Sequence, residues 1–559
     1  MGVGGVGGNV TTYGFDALGR PHTATDGRGI ATTYAYDDRD RTTGVTTSGG
    51  ATVGYVFDGD GNQTSRTDAT GTTTYLPDAL NRESLRTLAD GSTTLLTYDP
   101  AGNVATYTDP TGPVVYGYDN ANNLKTLKDP SGSTTTYRYN NDDVLTSVAY
   151  PGGTTQTITP DNSGRPSTIK TAAGSTTLVD LSYTYTSGKS GTDGDLRHTR
   201  TDNQAGKTIT YSYDSHNRLA EAKESATAIW LYCYDAAGNT VSATAGSDDA
   251  CPGTTTYTYN DASELTSKNG SATGWTYNPA GDETNGASTT GIRTGETWSD
   301  FNQLTSLTAA GTAYTAAYAG TDNAERTQLG ATAFHNGPEG LAASTATGAD
   351  TGFTREPGGT LNSMRTGGKS YYYLTDADGS VLGLVDNAAH RVNTYTYNPT
   401  GMPRTGGVSE TVPQPYRYHD AYLDPTGLYK MGARYYDAVT ERFTQTDPSG
   451  QETNPYAAFG ADPVNHTDPN GLGFLDAVSE WAGPVGDLAQ AGYHAYQGDT
   501  KALWGDLAGV MAGGIVGGMC TSLAVAGAPE TEGISLVAGL RCYALSNAAS
   551  QYASGEVSG

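Results

Sequence analysis

The sequence predicts a mostly β fold, in which β-hairpins repeat along the chain and are followed by a core segment and a short α-helical tail. Three observations support this prediction. A motif of aromatic residues and Asp recurs about every 21 residues. The 559 residues include 75 Gly and 39 Tyr, and Tyr favours strands whereas Gly favours turns. After Leu472 the repeat gives way to helical spacing.

The repeat is marked by an aromatic-x-aromatic-Asp motif, as in Tyr34-Ala-Tyr36-Asp37. A period of this length is typical of folds whose units pack on their neighbours. Each unit has room for two strands of about six residues and two turns. Because strand side chains alternate, both rings of a motif point to one face, and we expect them to form ladders along the sheet. The markers are Asp16, Asp37, Asp58, Asp78, Asp99, Asp119, Asn140, Asp161, Asp214 and Asp235.

The formal net charge is −27, from 32 Lys and Arg against 59 Asp and Glu. This balance argues against nucleic acid as a partner, since binding to a polyanion needs a basic surface. Neither the Cys nor the His residues have metal-ligand spacing, so the sequence predicts no metal and no cofactor. The sequence does not decide whether Cys233 and Cys251, or Cys520 and Cys542, form disulfide bonds. The first residues lack the basic and apolar regions of a secretory signal peptide.

The stretch from Ala433 to Gly473 differs from the repeats before it. It contains two Asp-Pro-x-Gly turns, which begin at Asp447 and Asp468. The second turn ends in Leu472, where the composition changes. We interpret this stretch as a region distinct from the repeats, and the resemblance given below implies that it is a plug of the β structure and a self-cleavage site.

The repeats resemble the YD repeats of bacterial Rhs proteins, the C component of Tc insecticidal toxins and teneurins. The segment from Tyr416 to Leu472 is similar to the Rhs repeat-associated core, through YRYHDAYLDPTGLYKMGARYYDAVTERFTQTDP and NPYAAFGADPVNHTDPNGL. The resemblance covers roughly residues 10–472 and implies a large shell, a β-sheet that spirals round a cavity closed by the core. Relatives with closed cages generally have longer repeat regions, so we expect an open cup, or a cage completed by another chain or by further N-terminal sequence.

The resemblance also implies self-cleavage. In several members the core cuts the chain after Pro-x4-Asp-Pro-x-Gly-Leu, and the toxin stays inside as a separate fragment. Pro463 to Leu472 fits this motif, which places the scissile bond between Leu472 and Gly473. Asp447 matches the core aspartate of the family, and Arg434 matches its basic partner. One departure is that Gln451 and Glu452 follow the first turn, where many relatives have Leu.

Two carboxyl groups held close together do not both ionise, so one keeps its proton. The ionised group can take a proton from water while the neutral one donates to the carbonyl or to the leaving amine. The candidates for the second acid are Asp468, Asp424 and Asp437, with Asp468 first because it is nearest the bond. The predicted catalytic residues of this single-turnover aspartyl protease are Asp447, Asp468 and Arg434. Because Asp-Pro-x-Gly is also an ordinary turn, a purely structural plug is the alternative.

The predicted domains are a flexible N-terminus 1–9, a YD-repeat shell 10–410, the core 411–472 and a variable tail 473–559. In the tail, Leu507 to Pro529 carries no charge and has Gly at intervals of four residues. Such a segment is long enough to span a bilayer, and its small residues allow close helix contact. The alternative is a Gly- and Ala-rich helical hairpin that stays within the shell.

Two functions remain open. In the first, the protein is an Rhs-type toxin carrier that releases its C-terminal effector by self-cleavage after Leu472. It would be secreted or on a bacterial cell surface, and its partners would include a target-cell membrane, an immunity protein, a secretion partner or a second chain of the shell. In the second, it is a structural or adhesive protein of the cell surface, with an uncleaved core and the tail as an anchor.

Overall fold

The computed structural model describes residues 10–476 except 188–193, 226–227, 246–254, 273, 289–290, 347, 451 and 474. Within these residues the chain forms antiparallel β-strands, and the only helical segments described are short 3-10 turns. The prediction of a mostly β fold is confirmed. The predicted N-terminus and nearly all of the helical tail lie outside the described residues. No helix in the described ranges is long and apolar enough to cross a membrane.

The first sheet has 24 strands, and each strand pairs antiparallel with the next one along the chain. Its strands are β1 (Thr12–Phe15), β2 (Pro21–Thr25), β3 (Ala31–Tyr36), β4 (Thr42–Thr47), β5 (Thr52–Phe57), β6 (Gln63–Asp68), β7 (Gly71–Pro77), β8 (Glu83–Thr87), β9 (Thr93–Tyr98), β10 (Val104–Asp109), β11 (Gly112–Tyr118), β12 (Leu124–Lys128), β13 (Thr134–Tyr139), β14 (Leu145–Ala149), β15 (Thr154–Pro160), β16 (Pro166–Ala173), β17 (Thr176–Thr186), β18 (Leu196–Asp202), β19 (Lys207–Tyr213), β20 (Leu219–Ser225), β21 (Ala228–Tyr234), β22 (Thr240–Ala245), β23 (Thr255–Tyr259) and β24 (Leu265–Lys268).

The second sheet has 14 strands and the same sequential antiparallel order. Its strands are β25 (Thr276–Tyr277), β26 (Glu283–Ser288), β27 (Gly291–Trp298), β28 (Leu304–Ala309), β29 (Thr312–Ala319), β30 (Glu325–Leu329), β31 (Thr332–Gly337), β32 (Gly340–Ala346), β33 (Ala349–Arg355), β34 (Leu361–Thr366), β35 (Lys369–Thr375), β36 (Val381–Asp386), β37 (Arg391–Tyr397) and β38 (Pro403–Glu410).

The core segment that follows contains two small sheets and two of the 3-10 turns. The four-stranded core sheet is β39 (Tyr422–Leu423), β40 (Tyr429–Met431), β41 (Arg434–Asp437) and β42 (Arg442–Phe443), and the last hairpin is β43 (His466–Thr467) and β44 (Leu475–Asp476). The 3-10 turns are Pro151–Gly153 in the first sheet and Tyr418–Asp420 and Phe459–Ala461 in the core.

Each marker Asp closes the turn that follows its aromatic pair. Asp78 accepts hydrogen bonds from the backbone N–H groups of Leu80 and Arg82 and an ion pair from the Arg82 guanidinium at 2.6 Å. That guanidinium lies over the ring of Tyr98 in the next repeat, 3.9 Å from the ring centroid. The Tyr98 hydroxyl donates to the Glu83 carbonyl at 2.7 Å. One carboxylate therefore fixes its own turn and, through Arg82, the tyrosine of the next repeat.

The same contact recurs along the first sheet. Further pairs of Arg and aromatic ring are Arg20 and Tyr36, Arg41 and Phe57, Arg165 and Tyr185, and Arg218 and Tyr234. Where Asn replaces this Arg, side-chain amides join neighbouring turns, as between Asn62 and Asn81 at 2.9 Å. We expected ladders of stacked rings, whereas these repeats are joined through guanidinium, hydroxyl and amide groups.

The second sheet runs alongside the first in the same direction. Near the start of both sheets the Thr47 hydroxyl donates to Asp300 at 2.6 Å, and near their ends Arg404 donates to Glu224 at 2.7 Å. Between these points the partners follow the same order in both sheets: Arg66 with Glu325, Tyr116 with Arg355, and Tyr183 with Ala377. The chain therefore returns over itself 180 to 259 residues later, as successive windings of a spiral do.

A buried charge cluster joins the second sheet to the core. The Arg293 guanidinium is completely buried and contacts Glu283 on β26, Glu296 on β27 at 2.8 Å and Asp437 on β41 at 2.7 Å. Charges can be buried only when opposite charges and hydrogen bonds compensate for lost hydration. Arg293 is therefore the cation that allows three carboxyl groups to lie in this interface.

Replacing Arg293 with Met should destabilise the protein by about 3–5 kcal/mol, because the buried carboxyl groups would lose their cation. The shift is measured as the midpoint of unfolding in urea, followed by tryptophan fluorescence. The control is Arg138→Met on the exposed face of β13, expected within about 0.5 kcal/mol of the parent protein. Equal midpoints for the two variants would contradict the importance of the cluster.

Candidate functional site

The loop Asp468–Gly473 connects β43 to β44 and packs against the turn between β40 and β41. The Ala433 N–H donates to the Asn470 carbonyl at 2.8 Å. Gly432 and Gly471 both have positive φ, and a side chain at either position would overlap the backbone of the facing loop. These two glycines therefore allow the loop to lie directly on the core hairpin.

Arg434, the first residue of β41, holds this loop in place. It is completely buried, its Nη2 lies 2.9 Å from Asp468 Oδ2, and its Nε donates to the Gly471 carbonyl at 2.5 Å. Its guanidinium also lies over the ring of Phe443, 3.6 Å from the centroid. The sequence suggested Arg434 as the partner of Asp447, whereas in the structure its ion pair is with Asp468.

Asp468 lies at the nitrogen side of the predicted scissile bond. Its Oδ1 accepts hydrogen bonds from the backbone N–H groups of Leu472 at 3.1 Å and Gly473 at 3.3 Å. Burial raises the pKa of Asp468 to about 6, although Arg434 and the two N–H groups act in the opposite direction. A carboxyl group with this pKa exchanges its proton near neutral pH, as acid–base catalysis requires.

Asp447 lies at the carbonyl side of the same bond. Its carboxylate accepts hydrogen bonds from the backbone N–H groups of Ser449 at 2.9 Å and Glu452 at 3.1 Å. The Ser449 hydroxyl lies 2.7 and 2.8 Å from the two carboxylate oxygens of Asp447 and 2.8 Å from the Leu472 carbonyl oxygen. Asp447 therefore reaches the carbonyl through Ser449, while Asp468 contacts the N–H groups directly.

The other two candidates for the second acid have different partners. Asp424 binds Arg326 through both carboxylate oxygens, at 2.5 and 2.7 Å, and Asp437 belongs to the cluster around Arg293. Both carboxylates thus join the core to the second sheet. Ser449 was missed in the sequence, since it occupies the variable position of an Asp-Pro-x-Gly turn. The predicted residues that the structure brings together are Arg434, Asp447, Asp468, Leu472 and Gly473.

Comparison with known proteins agrees with the repeats. The family model described as RHS Repeat matches residues 78–114, 98–133 and 118–155, within the first sheet. The fold is similar to that of a chain in the Tc holotoxin pore of Photorhabdus luminescens that contains TccC3, with a TM-score of 0.66 and 17% identity over 84% of this chain and 27% of that chain. The chain is an Rhs-type YD-repeat protein.

Two curated relatives of this Rhs-type protein have different names. It is 31% identical over 158 residues to tRNA(Glu)-specific nuclease WapA of Bacillus subtilis subsp. natto. This alignment covers 27% of this chain and 6% of WapA. It is 35% identical over 156 residues to salivary gland surface protein 1 of Aedes aegypti. This alignment covers 27% of this chain and 5% of that protein. The aligned regions thus span less than a tenth of either relative.

The remaining sequence predictions concern metal ligands and the disulfide pairing of the four cysteines. Among the described residues there is no group of three or more His, Cys, Asp or Glu side chains arranged to hold a metal ion. Cys233 on β21 is disulfide-bonded. The other cysteines of the two suggested pairs, Cys251, Cys520 and Cys542, lie outside the described residues.

Proposed function

We propose that this protein is a toxin carrier that cuts its own chain between Leu472 and Gly473. The observation that supports this most is the approach of two carboxyl groups to opposite sides of one peptide bond, Asp468 at its N–H and Asp447 at its carbonyl through Ser449. The repeats, the holotoxin-like fold and the similarity to a nuclease of the WapA type support the toxin class.

The proposed organisation assigns one task to each region. Residues 10–410 form the wall of a shell, residues 411–472 close it and perform the cut, and residues 473–559 are the effector. Because this chain covers only 27% of the chain in the similar holotoxin structure, we expect further sequence or a second chain to complete the enclosure. Such a carrier would act at the cell surface or after secretion, with an immunity protein and a secretion system as expected partners.

Hydrolysis in this site requires one proton on the pair of carboxyl groups, since one must donate while the other accepts. Asp468 contacts the Gly473 nitrogen and is placed to protonate it as the C–N bond breaks. Asp447 acts on the Leu472 carbonyl group through the Ser449 hydroxyl. Residues 448–450 are exposed, so water can reach the bond from that direction. Arg434 orients Asp468 and opposes the effect of burial on its pKa.

A second candidate is a surface protein that is never cut. The similarity to salivary gland surface protein 1 favours this candidate, because that relative is named a surface protein and its identity to this chain is comparable to that of WapA. In this case the core would be a structural plug and the tail an anchor.

The single substitutions Asp447→Asn and Asp468→Asn should each slow self-cleavage by about 10²–10⁴-fold, because the amide keeps the shape of the side chain without its acid–base function. Denaturing gels and intact mass should show fragments 1–472 and 473–559 for the wild type and a single 58.0 kDa chain for the variants. Asp99→Asn, in an Asp-Pro-x-Gly turn of the first sheet, is the matched control and should be cut normally. Cutting in both variants would exclude the aspartyl mechanism, and an uncut wild type would favour the surface protein.

The rate of self-cleavage should fall about tenfold per pH unit above about pH 6, because the pair then loses its last proton. The rate is measured by refolding the protein from urea in a series of buffers and quenching samples in detergent. Arg434→Gln removes a charge that lowers the pKa of Asp468, so the fall should move to higher pH. A rate that is constant between about pH 5 and 8 would contradict a role for the single proton of the carboxyl pair.

Self-cleavage should make the tail active on membranes. The full wild-type chain should release dye from phosphatidylcholine vesicles, whereas the uncut Asp447→Asn variant should release little. Gly513→Leu should reduce release by the wild type, because a large side chain prevents close contact between apolar helices. Equal release by the cut and uncut chains, or none by either, would contradict a membrane role for the tail.

A further inference from the structure

We propose that Ser449 is a catalytic residue of self-cleavage, which passes a proton from Asp447 to the carbonyl oxygen of Leu472. This inference rests on the proposed self-cleavage and extends it to a residue outside the predicted catalytic set. Ser449 touches the reacting bond, since its hydroxyl lies 2.8 Å from the Leu472 carbonyl oxygen. The contacts of the Asp468 carboxylate are instead with Arg434 and with the N–H groups of Leu472 and Gly473.

The number of protons at Ser449 indicates the direction of transfer. Its hydroxyl has one proton and lies within hydrogen-bond distance of both Asp447 oxygens and the Leu472 oxygen. One proton cannot be donated to Asp447 and to Leu472 at the same time. Both contacts are satisfied when the single proton of the carboxyl pair lies on the Asp447 side and is donated to Ser449 Oγ, while Ser449 donates its own proton to the carbonyl. This arrangement polarises the bond for attack.

The proton transfers balance over the whole reaction. With the single proton of the pair on Asp447, Asp468 is ionised. Water attacks the Leu472 carbonyl carbon and gives a proton to Asp468, while the carbonyl oxygen takes the Ser449 proton and Ser449 takes that of Asp447. Asp468 then donates its proton to the Gly473 nitrogen as the C–N bond breaks. One hydroxyl proton of the tetrahedral intermediate returns through Ser449 to Asp447, which leaves the Leu472 carboxylic acid and a free amine.

A second turn of the same sequence shows what is particular to Ser449. Asp129-Pro130-Ser131-Gly132 also places a serine hydroxyl 2.6 Å from the carboxylate of its turn, and the Ser131 N–H donates to Asp129 at 2.9 Å. The serine–aspartate contact is thus a property of the turn itself. Only at Ser449 does the hydroxyl also meet the carbonyl of the predicted scissile bond. Ser131 is therefore the matched control.

The test compares refolding and cleavage of the wild type with Ser449→Ala, Ser449→Thr and Ser131→Ala. Ser449→Ala should slow cutting by about 10²–10³-fold, as expected for loss of a donor to the carbonyl oxygen. Ser449→Thr keeps the hydroxyl and should restore most of the rate, and Ser131→Ala should not change it. Normal cutting by Ser449→Ala would overturn the inference, while an uncut wild type would overturn the proposed function.

Two further measurements keep these outcomes apart. Cleavage in hydroxylamine should give a free Leu472 carboxylate, because a Leu472 hydroxamate would show that Ser449 attacks the carbon and would overturn proton transfer. In the uncut Asp468→Asn protein, ¹³C′-Leu and ¹⁵N-Gly labelling selects the Leu–Gly bonds at Gly19, Gly330, Gly383 and Gly473. The carbonyl signal of Leu472 should move upfield when Ser449→Ala is added, and an unchanged signal would show that Ser449 does not polarise it.

Discussion

The arrangement of the candidate site depends on the complete burial of Arg434. A guanidinium without partners in a protein interior is strongly unfavourable, so the surrounding chain must provide acceptors. Here Asp468 provides a carboxylate, Gly471 provides a carbonyl and Phe443 provides the face of its ring. Two of these three partners belong to the loop between β43 and β44, so pairing Arg434 draws this loop onto β41 and turns the Gly473 N–H toward Asp468.

Pairing of charged side chains also organises the repeats. An Asp at the start of a turn satisfies the exposed N–H groups of that turn, and an Arg four residues later neutralises it and covers the next aromatic ring, as Asp78, Arg82 and Tyr98 do. Each unit therefore positions its successor without a large hydrophobic core of its own. A wall made in this way can be extended by repetition. Buried pairs over long sequence distances, such as Arg197 with Asp378 and Arg293 with Asp437, join the first sheet to the second and the second sheet to the core.

The repeats could be predicted from the sequence because their determinants are local. Strand alternation, Gly at positive φ and the Asp of each turn all act within one unit of about 21 residues. The site could be predicted only in part. The two Asp-Pro-x-Gly turns identified Asp447 and Asp468, but the partner of Arg434 lies 34 residues away and Ser449 meets Leu472 across 23 residues. Asp424 stayed among the candidates for the second acid, because its partner Arg326 precedes it by 98 residues and is not evident from the local sequence.

The position of the bond within a short hairpin bears on the fate of the two fragments. The strands β43 and β44 pair through only two residues each, and a hairpin of this size is marginally stable by itself. A cut in its loop would create a Leu472 carboxylate beside Asp447 and Asp468, where like charges repel. The cut ends would therefore tend to separate. On the proposed mechanism, retention of the fragment 473–559 depends on enclosure by the wall. The core that cuts the chain and the β structure that holds the fragment are therefore both needed for one function.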